Sequence, residues 1–226
     1  MFEASCRKDF RSSTEFSDKL LVGNLPSNQK VFVAVHGYRA EYSKTLIAYK
    51  TIETSLQRKR PEFGAMVGFF WPGSWSYAIG YVAADRRAAQ AAPYLVQLVK
   101  MLQERGNTVV LEAHSLGNKV MLEALMHIPP GSIEKYIMAA PAVDNGVLTG
   151  KYAVHIDGHE GKLMYSRRDN VLKWSYRMVP YNWTSPALGY DGPATKPVPN
   201  VELLDMTPFI DGHSAYRDAD EFYKLI

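Results

Sequence analysis

The chain has 226 residues, 46% hydrophobic and 22% charged, which excludes a disordered polypeptide and leaves room for a core that needs no disulfide or metal staple. Lys plus Arg is 26 and Asp plus Glu is 23, an excess too small and too evenly spread to make nucleic acid the main partner. Cys6 is the one cysteine, so no intramolecular disulfide forms; no apolar run approaches the ~18 residues of a membrane span, and MFEASCRKDF lacks the apolar core of a secretion signal. One domain over residues 1–226, located in the cytoplasm, is the expectation.

Residues 1–30 carry no strong pattern and read as an N-terminal extension, with a short edge strand at 20–22. VFVAV at 31–35 is a continuous apolar run ending in Gly37, the signature of a strand buried on both faces. Tyr42, Leu46, Tyr49, Ile52 and Leu56 then recur at spacings of three and four, which predicts a helix closed by Arg58, Lys59, Arg60 and Pro61. Residues 66–70 form the next buried strand, stopped by Trp71-Pro72-Gly73. An alanine-rich helical stripe from Tyr81 to Leu102 follows, with a kink or a helix junction expected at Pro93. Further strands are predicted at 108–113, 136–140, 163–166 and 201–206, with a helix at 116–127. Residues 173–200, rich in Pro, Gly and aromatics, read as a lid-like loop. Strands alternating with helices predict an α/β fold, a mostly parallel sheet with helices on both faces. In such a sheet the chemistry lies at the carboxyl ends of the strands.

The most informative of those ends is Ala113-His114-Ser115-Leu116-Gly117, between a buried strand and a helix. A sharp strand-to-helix turn requires small residues two before and two after its centre, and it pushes the central side chain into the open. Ser115 is therefore a candidate nucleophile; the competing reading makes it a helix cap. A serine hydroxyl needs a base, and the base needs a carboxylate to orient it. Of six histidines, His213 is the one in a loop after the last predicted strand, and it is the candidate base. Asp169, after the 163–166 strand, is the candidate acid, with Asp144 as the alternative. The oxyanion donors expected are the backbone N–H groups of Leu116 and Tyr38, the latter in the His36-Gly37-Tyr38-Arg39 loop, where Gly37 permits close approach and His36 reads as structural.

Together these segments resemble the α/β-hydrolase superfamily. Phe70-Trp71-Pro72-Gly73, the 139–144 stretch AAPAVD, Ser166-Arg167-Arg168-Asp169 and Gly212-His213-Ser214 resemble a bacterial domain-of-unknown-function branch of it, over roughly residues 31–216. Ala113 departs from the usual glycine and is still small. The resemblance implies a serine hydrolase without a metal requirement, its substrates mostly undefined; the short chain leaves no room for a large cap domain, so a compact α/β hydrolase is expected.

No cofactor is expected, because neither GxGxxG nor GxxxxGK[ST] occurs. His155 to Glu160, a conceivable metal cluster, reads as a solvated turn because its spacing offers no full ligand set. Trp71, Trp75 and Trp183 are expected to line a substrate pocket, in a roof shared with Tyr77, Trp174, Tyr176, Tyr181 and Tyr190. The reading is a serine esterase acting on a small-molecule ester; the alternatives are an acyltransferase on the same fold and a non-catalytic binding module. The sequence gives no oligomeric state.

Overall fold

A computed structural model describes residues 1–12, 14–73, 79–177 and 185–226. Its frame is one eight-stranded sheet, from β1 (Phe2–Arg7), β2 (Phe16–Val22), β3 (Lys30–Val35), β4 (Ala65–Phe70), β5 (Thr108–His114), β6 (Lys135–Ala139), β7 (Gly161–Tyr165) and β8 (Val201–Asp205). The spatial order is β2-β1-β4-β3-β5-β6-β7-β8, and every neighbouring pair is parallel except β1 with β2. Helices α2 (Ile79–Gln103) and α3 (Gly117–Leu125) cover one face. Helix α1 (Tyr42–Lys59) and, near the end of the chain, a short helix over Asp220–Leu225 cover the other. The central strands are mostly apolar because each face meets helices; on β5, Val109, Leu111 and Ala113 belong to the core under α2 and α3, and Val110 to the core under α1. Ala84, Ala88, Ala91, Leu95, Leu98 and Leu102 of α2 are all buried, and the helix continues through Pro93. Among the described residues no helix is long and apolar enough to cross a membrane.

Two expectations are corrected. Residues 1–30 are not an extension from the body: β1 pairs in register with β4, Phe2 opposite Val67 and Ser5 opposite Phe70, and β2 closes that edge. The missed signal is a period of two, in which Phe2, Ala4 and Cys6 share a face packed on the α2 core, while Ser5 and Arg7 are polar yet fully buried. Of the segment 173–200, residues 178–184 lie outside the described residues. The part that follows is pinned to the loops just past β6 and β7 rather than free. Leu188 N–H donates to the Val143 carbonyl at 2.8 Å, Gly189 N–H to Pro141 at 2.9 Å, and Ser166 N–H to Gly189 at 3.0 Å.

Candidate active site

β5 lies inside the sheet between β3 and β6, so the turn at its carboxyl end is walled by both neighbours. Ser115 occupies that turn with φ +56°, a left-handed conformation that costs a non-glycine residue about 1 kcal/mol or more. The surroundings hold it there. Ser115 N–H donates to the Ala139 carbonyl at 3.0 Å. The buried Asn118 side-chain amide donates to the carbonyls of Ala113, Ser115 and Ala139 at 2.9, 3.0 and 3.1 Å. Gly117 is required by space: a Cβ there would lie 2.5 Å from the His36 carbonyl oxygen and 2.6 Å from that of Val35. Gly37 is required for the same reason, since its Cβ would lie 2.7 Å from Ser115 Cβ.

The three side chains singled out in the sequence meet at this turn. His213 Nδ1 is 2.6 Å from Asp169 Oδ2, and His213 Nε2 is 2.8 Å from Ser115 Oγ. Asp169 is fully buried just past β7; its second oxygen, Oδ1, accepts the Leu172 N–H at 3.0 Å and so caps the π-helical turn Val171–Ser175. His114, beside the serine, donates its Nε2–H to the His213 carbonyl at 2.6 Å. Burial, aided by the neighbouring His213, pushes the His114 pKa down to about 3, so it remains a neutral donor that ties the His213 loop to β5. Asp144 faces elsewhere: its Oδ1 accepts the Gly146 N–H at 2.7 Å.

The loop after β3 is fastened from below. His36 stacks on Trp71, with ring centroids 5.5 Å apart and an interplanar angle of 8°. Its Nδ1–H donates to the Gly37 carbonyl at 2.8 Å, and its Nε2 accepts the Trp71 N–H at 3.1 Å. Burial first, and the Arg7 guanidinium second, hold its pKa well below the usual histidine value, which fixes this neutral tautomer. Because a trans peptide points its C=O and N–H in opposite directions, holding the Gly37 carbonyl also sets the direction of the Tyr38 N–H. Arg7, fully buried at the end of β1, donates from Nη2 to the Ala40 carbonyl at 2.8 Å and to His36 at 3.0 Å, and from Nε to the Trp71 carbonyl at 3.0 Å. Leu116, on the other side of Ser115, leads into the N-terminus of α3.

A cavity of about 290 Å³ opens beside Ser115 and His213, between the carboxyl ends of β3 and β5 and the flank of α1. Glu112 lines it, and sequence reasoning passed over that residue because it lies inside an otherwise apolar strand. Trp71 does not line it. It is fully buried, and its indole N–H donates to the His36 carbonyl at 2.7 Å, so the expectation of a pocket residue is replaced by a role in supporting the loop. Trp75 and Trp183, with Tyr77 and Tyr181, lie outside the described residues. Tyr176 lines a second cavity of about 250 Å³ with Tyr81, Asp85 and Asp144, and Trp174 is exposed. His159, expected in a solvated turn, is buried, with its Nε2 donating to the Ile128 carbonyl at 3.2 Å.

A mostly parallel eight-stranded sheet, helices on both faces and a strained serine turn after a strand inside the sheet define the chain as an α/β hydrolase. It belongs to the family described as alpha/beta hydrolase of unknown function (DUF900), whose profile matches residues 12–182. The matched stretch includes Ser115 and Asp169 and stops short of His213. Among solved structures, an uncharacterized protein from Bacillus cereus is similar at a TM-score of 0.51 and 14% identity, over 92% of this chain and 61% of that one. The chain thus spans about three fifths of that protein's length. The LpqC poly(3-hydroxybutyrate) depolymerase from Bordetella parapertussis is similar at a TM-score of 0.51 and 13% identity, over 89% of this chain and 84% of that one. At these identities the likeness concerns the fold. No curated protein sequence matches the chain.

Proposed function

We propose that the chain is a serine hydrolase that cleaves carboxylic esters through an acyl-enzyme. One observation carries the reading: a single imidazole, His213, spans Ser115 and Asp169, each ring nitrogen taking one partner. The Asp169 carboxylate only accepts hydrogen bonds, so Nδ1 carries the proton and the Nε2 lone pair faces the serine hydroxyl. As Ser115 Oγ attacks the ester carbonyl, Nε2 takes its proton, and buried Asp169 stabilises the imidazolium that forms. The oxyanion develops against the N–H groups of Leu116 and Tyr38, each such donor being worth about 10²–10³ in rate. The imidazolium then protonates the departing alcohol, leaving the acyl group on Ser115. Water replaces the alcohol, His213 deprotonates it, and the carboxylic acid leaves with Ser115 restored.

Turnover of a p-nitrophenyl ester tests this. Ser115→Ala is expected to lower kcat by about 10⁴ to 10⁶ and to abolish covalent labelling by a fluorophosphonate. Retained turnover in Ser115→Ala removes the mechanism. Adding a primary alcohol or amine separates hydrolysis from acyl transfer, because a transferase would then release the new ester or amide in place of the acid.

A further inference from the structure

Glu112 is 4% exposed, two residues before the end of β5, flanked in register by Ala34 and Ile137. A carboxyl in such a position needs a partner, since leaving it unpaired costs far more than an apolar side chain would. Among the described residues it has none. The tyrosine hydroxyls electrostatically coupled to it are engaged elsewhere, Tyr49 with the Phe69 carbonyl at 2.9 Å and Tyr223 with the Arg217 carbonyl at 2.6 Å. What Glu112 does reach is the 290 Å³ cavity, which Ser115 and His213 also line. The carboxyl and the nucleophile therefore face one space, of a size for a single acyl chain.

We propose that Glu112 is a specificity residue that binds a hydroxyl group on the acyl chain of the substrate, a proposal that rests on the ester-hydrolase reading above. Burial raises the Glu112 pKa to about 8, so near neutral pH it is mostly a carboxylic acid. A carboxylic acid offers one donor and one acceptor, and an alcohol offers the same pair, so the two satisfy each other reciprocally; a ketone or ether could use only the donor. An ammonium group is the poorer fit, because the charged residues lining the rest of the cavity, Arg39, Lys44 and Arg217, are all cationic, even with Glu41 beside Lys44 and Asp218 beside Arg217. Two strand steps from residue 112 to 114 advance about 7 Å, which places the hydroxyl-bearing carbon some five bonds from the reacting carbonyl carbon.

The experiment compares kcat/KM for p-nitrophenyl 6-hydroxyhexanoate and p-nitrophenyl hexanoate. The wild-type protein is expected to prefer the hydroxylated ester at least tenfold, Glu112→Gln to keep most of that preference, and Glu112→Leu to lose or invert it. A wild-type ratio of one or less overturns the proposal whether or not any variant folds, and so does an equal preference in wild type and a folded Glu112→Leu. If neither ester is turned over, the ester-hydrolase reading fails and calorimetry decides the site separately, with 6-hydroxyhexanamide and hexanamide as ligands. Tighter binding of the hydroxylated amide, lost in Glu112→Leu, supports the Glu112 site; equal binding, or no binding of either, overturns it.

Discussion

Glu112 shows at the level of one residue how a site is placed against stability. Its carboxyl is held from an ordinary pKa of 4.5 up to about 8 by burial. Between those values the folded protein keeps a proton that the unfolded chain has released, so stability is complete below about pH 4.5 and falls as pH rises to about 8. At 1.36 kcal/mol per unit the loss is on the order of 5 kcal/mol. Urea midpoints measured at pH 5 and pH 8 are expected to fall for the wild type and to fall distinctly less for Glu112→Leu. Parallel pH profiles for the two would show that the carboxyl is well solvated when ionised. His114 and Asn118 were equally hidden in the sequence, for another reason. Their contacts run to backbone carbonyls, of His213 and of Ala113, Ser115 and Ala139, and a carbonyl leaves no mark on residue identity.

The strand-turn-helix unit of β5 and α3 depends on glycine at 117 because the backbone at the end of β3 passes within contact of it. Gly117→Ala would set a methyl against the carbonyl oxygens of Val35 and His36, both backbone atoms that cannot swing aside. Such overpacking is expected to lower stability by about 1–3 kcal/mol in urea melts and to reduce ester turnover more than tenfold, since β3 carries the loop beside Ser115. Unchanged melts and rates would mean that the turn has slack the geometry does not indicate. The elements most legible in the sequence were those with a uniform environment. β3, β4 and β5 read as buried strands because both of their faces are covered, and α2 read as a stripe because one of its faces is. β1 escaped notice because its second face buries Ser5 and Arg7, so that burial and polarity no longer coincide along FEASCR.

On the scale of the whole molecule, Arg7 joins parts of the chain that are far apart in sequence: it links β1 to the loop after β3 and to the end of β4. Burial pushes its pKa down to about 10, and its Nη1 has no hydrogen-bond partner among the described residues. Replacing this buried cation by Met relieves its desolvation but leaves the Ala40 and Trp71 carbonyls without their donor, two effects of opposite sign. Arg7→Met is therefore expected to keep the urea midpoint near the wild-type value while lowering kcat/KM about tenfold and slowing fluorophosphonate labelling, because the loop carrying Tyr38 loses its anchor. Wild-type rates in a folded Arg7→Met, or a loss that only follows unfolding, would reduce Arg7 to a packing residue. The sequence by itself determined the strand-helix alternation, the serine turn and the order in which Ser115, Asp169 and His213 follow one another. Those are properties of local periodicity and of the small residues that a tight turn demands. Tertiary structure alone decided that β1 completes the sheet, that Trp71 lies under the loop rather than in the pocket, and that Glu112 opens onto the space beside Ser115. Each of these depends on which neighbour a side chain meets across the sheet, and that is settled by contacts between residues tens of positions apart.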